Sequence, residues 1–138
     1  MILLDTHIWY WWVGKWPRLT EVQQKFIRDH ESEGLGVSII SCWEVAQKAE
    51  SGRLELDRPV VRWIENALAF PNIRLVNLSP EIVVESVQLP KPIHRDPADR
   101  IIVATARILD CPLMTVDGKL LDYPHVKATD GVRPLPSK

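Results

Sequence analysis

Short apolar runs alternate along this chain with stretches in which apolar residues recur every three or four positions. Residues 1–4 are wholly apolar and closed by Asp5, the pattern of a brief buried strand. Residues 6–12 begin a helix, with Trp9, Trp12 and Trp16 at three- and four-residue spacing before Pro17 breaks it. A polar helix is expected over 20–30, with Val22, Phe26 and Ile27 on one side. Gly34 and Gly36 punctuate, and 35–40 reads as a second strand. Residues 41–50 predict a helix stopped by Gly52. Pro59 opens another, with Val60, Val61, Trp63, Ile64, Ala67 and Leu68 on one face, and Pro71 ends it.

A third strand is expected over 73–78, followed by a short helix that Ser79-Pro80 starts and that runs to about Val87. Pro90 and Pro92 keep 89–95 out of regular structure, because proline lacks the donor and fixes the backbone. That segment reads as a loop inside one domain. Asp96-Pro97 starts the clearest helix, whose apolar face holds Ile101, Ile102, Thr105, Ile108 and Leu109. Residues 112–116 predict a strand turned by Asp117-Gly118, and 125–128 a last strand before a proline-rich tail. Strands alternating with helices predict an α/β fold, a parallel sheet covered on both faces. No internal repeat is visible, and 138 residues suit a single domain over 1–138.

Composition changes this picture little but excludes several functions. Seventeen Lys and Arg against 18 Asp and Glu give a net charge of −1, which argues against holding nucleic acid by bulk positive charge. An enzyme touching nucleic acid through a local patch stays open. Cys42 and Cys111 lie far apart with no Cys-x-x-Cys pair, so two buried thiols in a reducing compartment are expected rather than a zinc site. No secretory pattern opens the chain, and no run approaches the ~18 apolar residues of a membrane span. A cytoplasmic protein with no membrane association is expected. Gly-x-Gly-x-x-Gly, phosphate-loop and Gly-x-Ser-x-Gly motifs are absent, which removes nucleotide cofactors and serine hydrolysis from consideration.

The placing of the acids is more informative. Asp5 falls at the carboxyl end of the first expected strand and Asp117 at that of a later one. Glu44 and Asp99 fall in the first turns of two expected helices. In an open α/β sheet such positions converge on the crevice beyond the strand ends. Four carboxylates there repel one another unless a cation sits among them, and an all-oxygen set favours Mg²⁺ or Mn²⁺ over zinc. A water activated by one or two such ions is suited to phosphodiester hydrolysis. Each acid also has a plainer reading. Ser41-x-x-Glu44 matches a capping box, Asp96-Pro97-Ala98-Asp99 a helix start with Asp96 as cap, and Asp117-Gly118 a turn. Lys48, one turn after Glu44, is placed to pair with it.

Four blocks together carry a resemblance: Leu3-Leu4-Asp5-Thr6-His7, Ser41-x-x-Glu44, Asp99-Arg100-Ile101-Ile102-Val103-Ala104-Thr105-Ala106 and Leu113-Met114-Thr115-Val116-Asp117. In order, spacing and context they resemble the PIN domain, and more narrowly the VapC-type toxins of toxin–antitoxin pairs, over nearly the whole chain. The resemblance implies a PIN-like three-layer α/β/α sandwich around a central parallel sheet, and a Mg²⁺- or Mn²⁺-dependent endoribonuclease acting as a toxin. It implies Asp5, Glu44, Asp99 and Asp117 as the catalytic, metal-holding quartet, with Thr6, Ser41 and Thr115 orienting carboxylates or water. It further implies an RNA substrate, a homodimer and a cognate antitoxin. Asp96 adds a second acid beside Asp99, and which of the two holds the metal stays open at this point. The tryptophan-rich stretch from Trp9 to Trp16 lies outside the family motif. Trp9, Trp12 and Trp16 suit a core, a base-stacking surface or a groove for an amphipathic antitoxin segment. His94, Arg95 and Arg100, with Lys91, are candidates to clamp an RNA phosphate. His7, His94 and His125 are weaker candidates for metal ligation, having no His-x-x-x-His spacing. The competing readings are a non-catalytic interaction module on the same fold and an acidic phosphate-transfer protein, which usually carries a second acid beside the first.

Overall fold

The computed structural model describes residues 1–15, 17–93, 95–133 and 135. Five strands form one parallel sheet: β1 (Ile2–Leu4), β2 (Leu35–Ser38), β3 (Ile73–Val76), β4 (Leu113–Met114) and β5 (Ala128–Thr129), in the order β3-β2-β1-β4-β5. The register places Leu3 beside Gly36 on one side and Leu113 on the other. Among the described residues seven α-helices connect them: α1 (Thr6–Gly14), α2 (Glu21–His30), α3 (Ile39–Glu50), α4 (Val60–Leu68), α5 (Pro80–Gln88), α6 (Pro97–Leu109) and the single turn α7 (Gly118–Leu121).

The side-chain alternation of β1 divides the core. Ile2 and Leu4 point into one half, with Ile8 and Trp9 of α1, Ile27 of α2, Val45 of α3 and Trp63 of α4. Leu3 points into the other, with Ile102, Val103 and Ala106 of α6 and with Leu113, Leu120 and Tyr123. Helices therefore cover both faces, and the expected three-layer α/β/α sandwich is the one observed. Trp9 is fully buried and meets Trp63 edge-on, with centroids 5.4 Å apart. Cys42 and Cys111 are both free and buried. Among the described residues, no helix is long and apolar enough to cross a membrane.

Most strands are shorter than their apolar runs suggested. β2 stops at Ser38, whose hydroxyl accepts from the Ile40 amide at 3.1 Å and caps α3. The helix thus begins at Ile39, two residues before its expected start, and Ser41 is not its cap. The Ser41–Glu44 capping box is accordingly not formed, and Glu44 sits in the second turn rather than the first. The last strand is Ala128–Thr129, later than the expected 125–128. Val22 and Val61 are exposed rather than facing the core, and Ile108 and Leu109 of α6 are exposed as well. Trp16, the third tryptophan of the helical series, lies outside the described residues.

The start of α6 is as expected. Asp96 Oδ1 accepts from the amides of Ala98 (2.8 Å) and Asp99 (3.2 Å), and Pro97 occupies the first helical position. Losing such a cap costs about 1 kcal/mol. Asp96→Ala should therefore lower stability by about that much in denaturant unfolding while leaving the sheet in place.

Candidate active site

At the centre of the sheet the chain leaves β1 toward β2 on one side and returns through β4 on the other. Backbones diverge at such a switch point and open a crevice at the carboxyl ends. A cleft of about 540 Å³ lies there, and Asp5, Thr6, Glu44, Asp96, Asp99 and Asp117 all line it. Each acid arrives by a local device. Asp5 ends β1 and caps α1, its Oδ1 accepting from the Thr6 amide at 2.8 Å. Its other oxygen accepts from the Thr115 hydroxyl at 2.7 Å, just past β4. Thr115 Oγ1 in turn accepts from the Asp117 amide at 3.1 Å, which turns the chain so that Asp117 can cap α7 through the Lys119 amide. Asp99 stands at the third position of α6, three residues after the Asp96 cap.

A hydroxyl relay ties the first helix to the third. Thr6 Oγ1 donates to Glu44 Oε1 at 2.5 Å and lies 2.8 Å from Ser41 Oγ. Since the Thr6 proton goes to Glu44, the Ser41 hydroxyl donates to Thr6. Ser41, Glu44 and Lys48 share one face of α3 at helical spacing, which is why a buried serine and a half-buried glutamate meet the same threonine. Lys48 does not close onto Glu44 as the sequence suggested; its Nζ donates to His7 Nε2 at 3.2 Å.

Burial and mutual repulsion shape the electrostatics of this cleft. Asp5 is raised above the usual carboxylate range by burial, against the lowering effect of the Thr115 and Thr6 hydrogen bonds. Glu44 is raised by burial, with the Thr6 hydrogen bond opposing and Asp5 adding to the shift. Asp99 is pushed up to about 7, first by burial and then by the charges of Asp5, Asp96, Glu44 and Asp117. Acids so arranged favour a shared counter-charge. Among the described residues, no three of them are already gathered at one point as a finished metal site. The donor set nevertheless fits a hard divalent cation: oxygen-only, anionic, and partly oriented by hydroxyls and an amide.

The raised Asp99 has a measurable consequence. The folded protein holds this proton up to about pH 7, whereas the unfolded chain releases it near 3.8. Its favourable contribution is present below the unfolded value and is lost as pH rises through 7. Without metal, the melting temperature of the parent relative to Asp99→Asn should therefore fall between pH 4.5 and pH 8. Parallel curves would show that Asp99 titrates normally.

Ser41 and Thr115 are fully buried behind the cleft and act on it through Thr6 and Asp5. Arg95, Arg100 and Lys91 are not among its lining residues, and His94 lies outside the described residues. His125 is elsewhere, its ring against Tyr123. The cations that do line the cleft are Lys48 and Arg53, with His7, Trp11 and Gln47 beside them. The Glu44, Gln47, Lys48 spacing along one helix face is a sequence signal for Gln47 and Lys48; Arg53, beyond the end of α3, has no such signal.

Comparison with known proteins places this geometry. The PIN domain profile matches residues 2–126. Ribonuclease VapC22 of Mycobacterium tuberculosis is 36% identical over 124 residues, spanning 90% of this chain and 92% of that protein. Two solved structures superpose over nearly the full length. VapBC2 from Rickettsia felis, bound to a DNA fragment from their promoter, gives a TM-score of 0.70 at 15% identity, covering 94% of this chain and 98% of that one. A toxin–antitoxin complex from Klebsiella pneumoniae gives 0.64 at 21% identity, covering 95% and 98%. At those identities the structural likeness bears on the fold.

Proposed function

The chain belongs to the PIN domain family, and we propose on that footing that it is the endoribonuclease toxin of a toxin–antitoxin pair, using Mg²⁺ or Mn²⁺ in the acidic cleft. One observation carries this reading: carboxylates from positions 5, 44, 99 and 117 converge on one cleft at the switch point of the sheet. The relative called a ribonuclease supports RNA as substrate, and the neighbour described as a toxin–antitoxin complex supports an antitoxin as partner. A homodimer in the cytoplasm completes the proposal.

Asp5, Glu44, Asp99 and Asp117 would hold the cation, which neutralises phosphate charge and makes a water nucleophilic near neutral pH. The chain's own work is orientation. Thr115 and the Thr6 amide fix both oxygens of Asp5, and Thr6 fixes one oxygen of Glu44. Ser41 holds Thr6 in its donating orientation. Asp96 Oδ1 caps α6 and so sets the turn that carries Asp99; on this reading Asp99 would be the ligand of the pair and Asp96 the positioning residue.

Purified protein should cut single-stranded RNA with Mg²⁺ or Mn²⁺, lose the activity to a chelator and regain it when Mn²⁺ is restored. Mn²⁺ at about a hundred times its Kd should also stabilise the fold by ~2.7 kcal/mol, a rise of several degrees in melting temperature. Intact RNA under all these conditions would leave the fold as an interaction module without this chemistry.

A further inference from the structure

A second cavity, about 250 Å³, adjoins the acidic cleft. The two share Thr6, His7, Lys48 and Arg53, and the second is closed by Tyr10, Val45 and Leu54. Its two ends differ in chemistry. The shared neck carries the cations, with the Lys48 ammonium against His7 and the His7 ring 5.6 Å from that of Trp11. The far end is aromatic and aliphatic. The cations lie at the junction of the two cavities, where an anion extending from the cleft would meet them.

Resting on the ribonuclease reading, we propose that this cavity is a nucleotide pocket: Lys48 and Arg53 hold the phosphate next to the scissile one, and the adjoining base enters between Tyr10, Val45 and Leu54. Helix geometry supports the spacing. Four residues separate Glu44 from Lys48 on one face of α3, a rise of about 6 Å. A strand with one phosphate at the acids thereby brings its neighbour to the ammonium. The charge pattern favours RNA over an apolar peptide, since the entrance is cationic and the interior is aromatic and aliphatic. Stacking of a base on such a surface adds to the contacts that a local cationic groove makes with the backbone. The pocket would make binding sensitive to the presence of a base at one position beside the cut.

The test is fluorescence anisotropy with labelled single-stranded oligoribonucleotides in an Asp99→Asn background, scanning one abasic ribose along the strand. Binding should weaken about tenfold or more at one abasic position. Adding Lys48→Met with Arg53→Met should weaken the intact strand about tenfold and flatten the scan. It should also reduce the slope of log affinity against log salt by about 0.7 for each phosphate that the protein no longer neutralises. Melting temperature and circular dichroism of the double variant check that it folds. A uniform scan, or unchanged affinity and salt slope in the double variant, would overturn the pocket while metal-dependent cleavage by the parent leaves the ribonuclease reading standing. No RNA binding and no cleavage by the parent would overturn both. So would binding of an acidic glutamate-rich peptide, through Lys48 and Arg53, by a protein that binds no RNA.

Discussion

Asp99→Asn is expected to reduce RNA cleavage by about a hundredfold or more, the scale on which preorganised electrostatic groups act, while making the metal-free protein no less stable above pH 7. The two effects have one cause. Asp99 is forced up to about 7 by burial and by four neighbouring acids, so its charged form is a burden on the folded chain until a cation shares the space. A neutral amide of the same shape removes the repulsion and with it the donor. The variant should also lose most of the stabilisation that Mn²⁺ gives the parent. Asp5→Asn should follow the same pattern with a small structural penalty, because both Asp5 oxygens accept hydrogen bonds and an amide can accept through only one. Cleavage assays beside thermal melts with and without Mn²⁺ decide the matter. Full cleavage by Asp99→Asn, or an unchanged response to Mn²⁺, would remove Asp99 from the site.

The largest stability effect should come from Trp9→Ala. Trp9 is fully buried between β1, α1 and α4, and its removal leaves a cavity beside Trp63. Phe or Trp to Ala in a core costs about 3–5 kcal/mol. That is a large part of the ~5–15 kcal/mol that holds an ordinary domain together. Trp9→Phe isolates the packing contribution. The indole Nε1 has no hydrogen-bond partner among the described residues, so removing it leaves no acceptor orphaned. Trp9→Phe should therefore cost well under half as much as Trp9→Ala in denaturant unfolding. Equal losses would mean that the indole nitrogen is bonded after all.

What was legible in the sequence followed from period and punctuation. β1, α4, α5 and α6 lie close to where apolar spacing and proline put them, because each has a strong start or stop residue. Ser38 and Ser41 show the opposite case. Either serine can start a helix, and only the tertiary partner of Ser41, the Thr6 hydroxyl, decides that Ser38 caps and Ser41 does not. Val22 and Val61 sit on helix faces that periodicity alone assigned inward, and neighbouring elements left them in water. That Asp5, Asp99 and Asp117 meet at one cleft was legible because strand ends and first turns are few; Glu44 joins them from the second turn of α3, where Thr6 donates to it. Lys48 was noticed as a partner for Glu44, and its turn toward His7 could not be seen without knowing that α1 and α3 run side by side. Arg95 and Arg100 neighbour Asp99 along the chain but do not line the cleft.

The two strands that meet at the cleft lie more than a hundred residues apart along the chain: β1 spans Ile2–Leu4, and β4 pairs with it through Leu113 and Met114. A ribosome that has synthesised the first hundred residues has already produced Asp5 and Glu44, yet it has not made Thr115, whose hydroxyl sets the Asp5 carboxylate. A nascent chain that stops short of Leu113 therefore lacks both the sheet partner of β1 and the hydroxyl that sets Asp5, so the cleft is assembled only after that point has been translated.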